Sequence, residues 1–120
     1  MLQPLDPEFA LQDQLPITAS PVVLINLFTL APADEDRFLE VWRDDAAFMK
    51  AQPGFLGTQL YRALGPNPTY LNRAVWASNE DFAAAFSQPA FQAKLEAYPS
   101  SAVARPHLFQ TVAVPGICAD

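Results

Sequence analysis

The chain has 120 residues, a length that suits one domain with a sizeable core. Hydrophobic residues make up 51% of it and charged residues 17%, a balance that excludes an intrinsically disordered chain. The net charge is −6 and no lysine or arginine precedes Arg37, so the sequence offers no basic patch for nucleic acid or an anionic membrane.

The single cysteine, Cys118, excludes an internal disulfide and any metal site built from a cysteine cluster. The first residues have neither the basic region nor the apolar region of a secretory signal. No apolar run approaches the roughly 20 residues that a membrane span requires. These features predict a cytoplasmic protein that does not bind membranes.

The N-terminal segment, residues 1–21, contains four prolines and shows no clear hydrophobic period. It is predicted to be an extended arm with one short turn around residues 8–14. Its apolar side chains indicate that it lies against another surface, either its own domain or a partner subunit.

The first predicted strand covers residues 22–30, VVLINLFTL, which are mostly β-branched or apolar. Asn26 stands in its middle, although asparagine is depleted in strands. A buried amide without partners costs about 1–3 kcal/mol. Either a neighbouring group satisfies the Asn26 side chain, or the side chain lines a cavity and meets a ligand.

A helix is predicted next, with Asp34 as its capping residue and acidic side chains in its first turn. Its inward positions follow helical spacing and are apolar at every place but one, Asp45. The sequence Gln52-Pro53-Gly54 ends this helix.

Residues 55–64 and 69–77 are predicted to form a hairpin, because turn-forming residues separate two strand-like runs. If Leu64 pairs with Thr69, Tyr61 lies opposite Asn72 and shares its face.

Two short helices and a last strand complete the predicted domain. Ser78 and Asp81 form a capping box for the first of these helices. Pro89 suits the first turn of the next one. The last strand is predicted over residues 107–114, after a loop over residues 98–106.

The predicted order is β-α-β-β-α-β, an α+β ferredoxin-like pattern with an antiparallel sheet. Helices cover only one face of such a sheet, yet the first strand is apolar on both. Its second face carries Val23, Ile25 and Leu27, and large exposed apolar patches mark interfaces. The pattern predicts a homodimer. The domain is predicted over residues 22–114, with a tail over residues 115–120.

Several motifs together resemble one known family. They are INLFTL in the first strand, MKAQPGF at the end of the first helix, LYRAL, LNRAVWASNEDF and PAFQ. The chain resembles the antibiotic biosynthesis monooxygenase (ABM) domain family of the dimeric α+β barrel superfamily, over about residues 22–114. The resemblance implies a dimeric barrel in which two sheets pack face to face.

The resemblance also implies a function, because the quinone-forming oxygenases of this family oxidise a polycyclic phenol without metal or flavin. They use an asparagine and a tryptophan four residues apart, which match Asn72 and Trp76. Phe82 stands where these enzymes have a tyrosine, and Lys94 lies nearest to the position of their later arginine. The resemblance favours a cofactor-independent monooxygenase that binds a small phenolic or quinonoid aromatic molecule.

The candidate site follows from these comparisons and from the predicted register. Asn72 and Trp76 are the predicted donors to a developing oxyanion. His107 or Tyr61 is the candidate proton acceptor. The ligand is expected to contact five side chains: Asn26, Tyr61, Phe28, Phe82 and Phe86. No metal site and no cofactor are predicted.

Two alternatives remain open at this point. The same barrel could be a non-catalytic binding or stress-related protein, which Phe82 in place of tyrosine favours. The haem-degrading members of the superfamily share the asparagine at Asn26, but their tryptophan falls near Phe86 and their axial histidine near Leu95. Haem binding or degradation is therefore the third hypothesis, after the oxygenase and the non-catalytic protein.

Overall fold

The computed structural model describes residues 1–118 and contains four strands and four α-helices in that range. A 3-10 turn over Pro32–Asp34 precedes the longest helix. In chain order the elements are α1 (Leu11–Gln14), β1 (Val22–Thr29), α2 (Glu35–Lys50), β2 (Phe55–Arg62), β3 (Thr69–Trp76), α3 (Asn79–Phe86), α4 (Pro89–Leu95) and β4 (Val103–Phe109).

The four strands form one antiparallel sheet in the order β2-β3-β1-β4, which confirms the predicted α+β ferredoxin-like fold. One face of the sheet carries the buried side chains, among them Leu24, Ala74 and Leu108. The helices contribute Phe38, Phe82 and other apolar residues to the same core. Alternate residues of each strand point to opposite faces, so the register decides which side chains reach this helix-covered side.

The predicted hairpin register is wrong by one residue. The backbone N–H of Ala63 donates to the Thr69 carbonyl, and Tyr61 lies opposite Leu71. The longer connection leaves Leu64 fully exposed in the loop. A slip of one residue exchanges the two faces of a strand, so Tyr61 does not share a face with Asn72.

In the observed register Arg62 lies on the helix-covered face, where its Nε donates to Glu35 of α2 over 2.5 Å. Tyr70 lies beside Arg62 in the register and also donates to Glu35. This contact between the hairpin and α2 is consistent with the observed register.

The last strand covers Val103–Phe109, so it begins four residues earlier and ends five residues earlier than predicted, and it includes Pro106. Proline cannot donate to a strand ladder, so it is tolerated mainly on edge strands. Strand β4 is such an edge strand in the sheet order, and Pro106 faces Asn26 of β1. The predicted loop over residues 98–106 therefore overlaps the strand.

The start of α2 also differs from the prediction. Asp34 makes no side-chain capping bond, and its Oδ2 accepts a hydrogen bond from Ser101 Oγ over 2.6 Å. Half of the predicted capping box of α3 is confirmed, since Ser78 Oγ accepts from the Asp81 backbone N–H over 3.1 Å. The Asp81 carboxylate accepts from Ser78 Oγ over 3.0 Å.

The arm lies against its own domain. The buried Asn79 donates from Nδ2 to the carbonyls of Gln14 and Ile17, over 2.9 Å and 2.7 Å. Leu11 of α1 is part of the apolar core. At the start of the arm, the Gln3 N–H donates to the Ala104 carbonyl at the outer edge of β4. Of the helices in residues 1–118, none is both long enough and apolar enough to cross a membrane.

Candidate functional site

Two asparagines lie side by side on the helix-covered face of the sheet. Asn26 of β1 pairs with Asn72 of β3, and directly opposed residues share a face. The same row continues to Leu60 on β2 and to Pro106 on β4. The sheet thus presents two neighbouring amides in an otherwise apolar row.

A cavity of about 550 Å³ lies over this face, bordered by β1, α2, α3 and α4. Its volume falls within the range of about 300–1,000 Å³ that is typical of small-molecule sites. The lining is mostly apolar and includes four phenylalanines, Asn26, Asp45 and Tyr98. A smaller cavity of about 60 Å³ shares Asn26 and Asp45 with it and also borders Asn72 and Trp76.

The surroundings of the Asn26 side chain explain why an asparagine stands in this strand. Its Oδ1 is buried and accepts no hydrogen bond from residues 1–118. The side chain lies at the border of both cavities. Its neighbour differs, because Asn72 Oδ1 accepts from Thr58 Oγ1 over 2.5 Å. That bond orients the Asn72 amide and leaves its nitrogen as a donor.

Trp76 lies deep in the core, with 1% of its surface exposed. The edges of its ring meet Phe55 and Phe82 at centroid distances of 5.2 Å and 5.7 Å. Its Nε1 is buried and, within the described part of the chain, donates to no acceptor. Trp76 also borders the smaller cavity, so its indole N–H is a candidate donor to a group held there.

All three of the phenylalanines predicted to contact the ligand line the larger cavity. Phe28 contributes from the sheet, and Phe82 and Phe86 contribute from α3. Phe82 and Phe86 stack at 5.6 Å, and Phe86 meets Phe91 of α4 at 5.5 Å. These rings form a wall that suits a flat aromatic molecule.

Asp45 and Tyr98 belong to the cavity although sequence analysis assigned neither a role. The Tyr98 hydroxyl donates to Asp45 Oδ2 over 2.7 Å, while Asp45 Oδ1 is buried and unpaired within residues 1–118. Burial raises the pKa of Asp45 to about 6, against the opposing effect of the Tyr98 hydrogen bond. The available signal was the one acidic residue among the apolar positions of α2.

Tyr61 and His107 are separated from the cavity, because both side chains lie on the opposite face of the sheet. Tyr61 pairs with Leu71 and is 49% exposed. His107 pairs with Ile25, and its Nε2 lies 3.2 Å from Gln14 Nε2. This placement gives neither side chain access to a molecule held between the sheet and the helices.

The geometry gives little support to the hypothesis that the protein binds or degrades haem. Leu95, at the position implied for an axial histidine, lines the larger cavity and has no ligating atom. The only histidine, His107, lies on the other sheet face. Residues 1–118 also contain no group of three or more histidine, cysteine or acidic side chains arranged to hold a metal ion.

Comparison with known proteins adds independent findings. A family model described as antibiotic biosynthesis monooxygenase matches residues 21–97. Deoxynogalonate monooxygenase of Streptomyces nogalater is 36% identical over 77 residues, which are 62% of this chain and 63% of that protein. The chain therefore aligns with less than two thirds of that relative's length.

Solved structures resemble the whole domain. SnoaB, a cofactor-independent oxygenase from Streptomyces nogalater, superposes with a TM-score of 0.70 at 31% identity, covering 82% of this chain and 99% of that one. A protein from Shewanella loihica PV-4 superposes with a TM-score of 0.65 at 29% identity, with the same two coverages.

Proposed function

The chain belongs to the antibiotic biosynthesis monooxygenase family, and from that premise we propose that it oxygenates a small phenolic aromatic molecule with dioxygen and no cofactor. The observation that carries the proposal is the pair of cavities that share Asn26 and Asp45, where polar groups without protein partners border phenylalanine rings. The likeness to a cofactor-independent oxygenase adds support.

The proposed chemistry depends on a substrate that becomes electron-rich when it loses a proton, such as an anthrone. The substrate anion transfers one electron to dioxygen, and the resulting radical and superoxide combine to form a carbon–oxygen bond. The remaining C–H bond and the O–O bond of the hydroperoxide then break as water leaves, so a CH₂ group and O₂ become a carbonyl group and H₂O. The CH₂ group itself supplies all four electrons that reduce O₂.

The protein contributes enclosure and charge stabilisation to this sequence. The apolar walls exclude water, which strengthens every polar contact inside the cavity. The Asn72 amide nitrogen and the Trp76 Nε1–H are the donors proposed to face the substrate oxyanion. Losing one such donor typically lowers kcat by about 10²–10³-fold.

A homodimer is also proposed. The sheet face that the helices leave open carries Val23, Ile25 and Leu27 of β1. Leu71 and Val75 of β3 lie beside Leu27 and Val23 on the same face. These side chains lie on the face that the helices leave open, as two sheets packed face to face would require.

The activity is tested with 1,8-dihydroxyanthrone in air-saturated buffer containing EDTA. Oxygen uptake and quinone absorbance are recorded together, after subtraction of the spontaneous rate. We expect one O₂ consumed for each quinone formed. The Asn72→Ala variant is expected to lower kcat/KM by about 10²-fold. Asn67→Ala, an amide change in the exposed β2–β3 loop, serves as the control and retains the parental rate.

A second candidate function is ligand binding without turnover, favoured by Phe82 at the position where the resemblance implies a tyrosine. In the same assay this function gives saturable quenching of tryptophan fluorescence by the corresponding anthraquinone, with oxygen uptake no faster than in buffer. That result contradicts the oxygenase proposal and retains the binding site.

A further inference from the structure

Asp45 interrupts the apolar stripe of α2. The residues one turn before and after it, Val41 and Met49, are buried in the core. An acidic side chain at such a position loses much of its hydration, which disfavours its charged form. Asp45 nevertheless borders both cavities, and this position places its carboxylate beside the space proposed for the substrate.

The two oxygens of this carboxylate differ in their surroundings. Oδ2 accepts the 2.7 Å hydrogen bond from Tyr98, and Oδ1 is buried with no partner among the described residues. Tyr98 is itself held in place, because its ring stacks on Phe28 at 6.0 Å and packs against Phe38 at 5.7 Å. One oxygen is therefore fixed by the protein and the other is left for a ligand.

Charged groups of α2 and α4 act on the Asp45 carboxylate. Lys94 of α4 favours the carboxylate, but its Nζ is bound to Asp44 over 2.8 Å, and Asp44 opposes ionisation of Asp45. Glu96, just after α4, lines the same cavity. Burial is the largest effect and raises the pKa of Asp45 to about 6. A base with a pKa near the working pH is well matched to proton transfer.

We propose that Asp45 is the proton acceptor of the reaction and that Tyr98 is the positioning residue that holds it, an inference that rests on the proposed oxygenase function. Asp45 Oδ1 forms a bond to the proton as the substrate C–H bond breaks, and the electron pair passes into the aromatic oxyanion. After oxygen adds to carbon, the protonated Asp45 returns its proton to the terminal peroxide oxygen. That proton leaves in the water formed when the O–O bond breaks, so Asp45 is regenerated.

The structure places both of the proton acceptors predicted from the sequence outside the cavity. Tyr61 and His107 lie on the other sheet face, and the position of the family tyrosine holds Phe82. Asp45 supplies a base on the correct side of the sheet.

The test uses the full chain and compares Asp45→Asn, Tyr98→Phe and the control Asp36→Asn, which changes an exposed carboxylate at the start of the same helix. Oxidation of 1,8-dihydroxyanthrone is measured from pH 5 to pH 8.5, with the spontaneous rate subtracted. Binding of 1,8-dihydroxyanthraquinone is measured in parallel by tryptophan fluorescence. Thermal unfolding confirms that each variant is folded.

We expect the pH profile of kcat/KM for the parent protein to have an ascending limb with its midpoint near pH 6. Asp45→Asn is expected to lose at least 10²-fold in kcat/KM and to lose this limb, while its affinity for the anthraquinone stays within about threefold. Tyr98→Phe is expected to move the limb to higher pH, because it removes a hydrogen bond that favours the carboxylate. Asp36→Asn should match the parent.

An Asp45→Asn variant that retains both the rate and the limb overturns the role of Asp45 and leaves the oxygenase function standing. An unmoved limb in Tyr98→Phe overturns the positioning role of Tyr98. A parent protein that oxidises the anthrone no faster than buffer contradicts the proposed function, and the role of Asp45 falls with it.

Discussion

At the scale of single residues, several polar atoms that border the two cavities have no protein partner, a state that Asn79 Oδ1 and His107 Nδ1 share elsewhere in residues 1–118. Asn26 Oδ1, Asp45 Oδ1 and Trp76 Nε1 are buried without one in residues 1–118. Leaving such atoms unpaired costs free energy in a structure that serves stability alone. Their position beside two cavities that share Asn26 and Asp45 is the reason to interpret them as ligand-facing groups.

The Asn26→Leu substitution tests this interpretation. Because Asn26 Oδ1 has no protein partner to leave unpaired, we expect the free energy of unfolding to change by less than about 1 kcal/mol. Affinity for the anthraquinone should fall several-fold. Denaturant unfolding and fluorescence titration measure the two quantities.

Asn79→Leu is the matched control, because Asn79 Nδ2 donates to the carbonyls of Gln14 and Ile17. Its loss should cost about 1–3 kcal/mol. If Asn26→Leu destabilises the protein as much as Asn79→Leu does and leaves the affinity for the anthraquinone unchanged, Asn26 has a structural role and does not contact the ligand.

Asp45 should also make stability depend on pH. Its pKa rises from 3.8 to about 6 on folding, so between these values the folded state binds more protons and stability falls as pH rises. Each pKa unit corresponds to about 1.4 kcal/mol, so Asp45→Asn should stabilise the protein by roughly 2–3 kcal/mol at pH 8 and by little at pH 4. Thermal unfolding at the two pH values measures the difference. An equal effect at both would contradict the raised pKa.

At the scale of elements, the connection between α2 and β2 determines where the hairpin meets α3. Gly54 has a φ of +85°, and its carbonyl accepts from the Ala77 N–H over 2.7 Å. A Cβ built on Gly54 would lie 2.2 Å from Asp81 Oδ2, at the first turn of α3. The backbone conformation and the close approach both require glycine here.

The Gly54→Ala substitution should therefore destabilise the protein by more than the roughly 1–2 kcal/mol of backbone strain alone. Gly65→Ala is the control, because Gly65 also has a positive φ, of +104°, but has open space where the Cβ would lie. Chemical denaturation compares the two. Equal losses of stability would show that Asp81 moves aside at no cost.

At the scale of the whole molecule, the sheet has one face covered by helices and one face open. The open face carries the apolar row of β1, with Arg73 and Arg105 among its neighbours. Packing of a second sheet on this face would complete a dimeric barrel, in which each subunit keeps its own cavity on its helix-covered side.

We expect a dimer at micromolar concentration, measured by light scattering. Ile25→Asp should dissociate or unfold it, because an unpaired charge buried at an interface costs several kcal/mol. The control is Ala47→Asp, which adds the same charge on the exposed side of α2 and should remain dimeric. A folded, dimeric Ile25→Asp protein would contradict the assignment of this face.

The sequence by itself determined the order and type of the elements, because periods of 2 and 3.6 residues are local properties of the chain. Asn26, Asn72 and Trp76 were identified as candidates from their positions in strands and from the family resemblance. Alternation alone also placed Asn26 on the same strand face as Leu24 and Phe28.

Only the tertiary structure decided the hairpin register, the extent of β4 and the partnership of Asp45 with Tyr98. A register depends on how a loop closes, and an error of one residue moved Tyr61 to the wrong face. The local sequence at Pro106 predicts a loop. Only the sheet order shows that β4 is an edge strand, where a proline is tolerated. Asp45 and Tyr98 are 53 residues apart, and no local pattern indicates that packing of α4 against α2 brings the hydroxyl to the carboxylate.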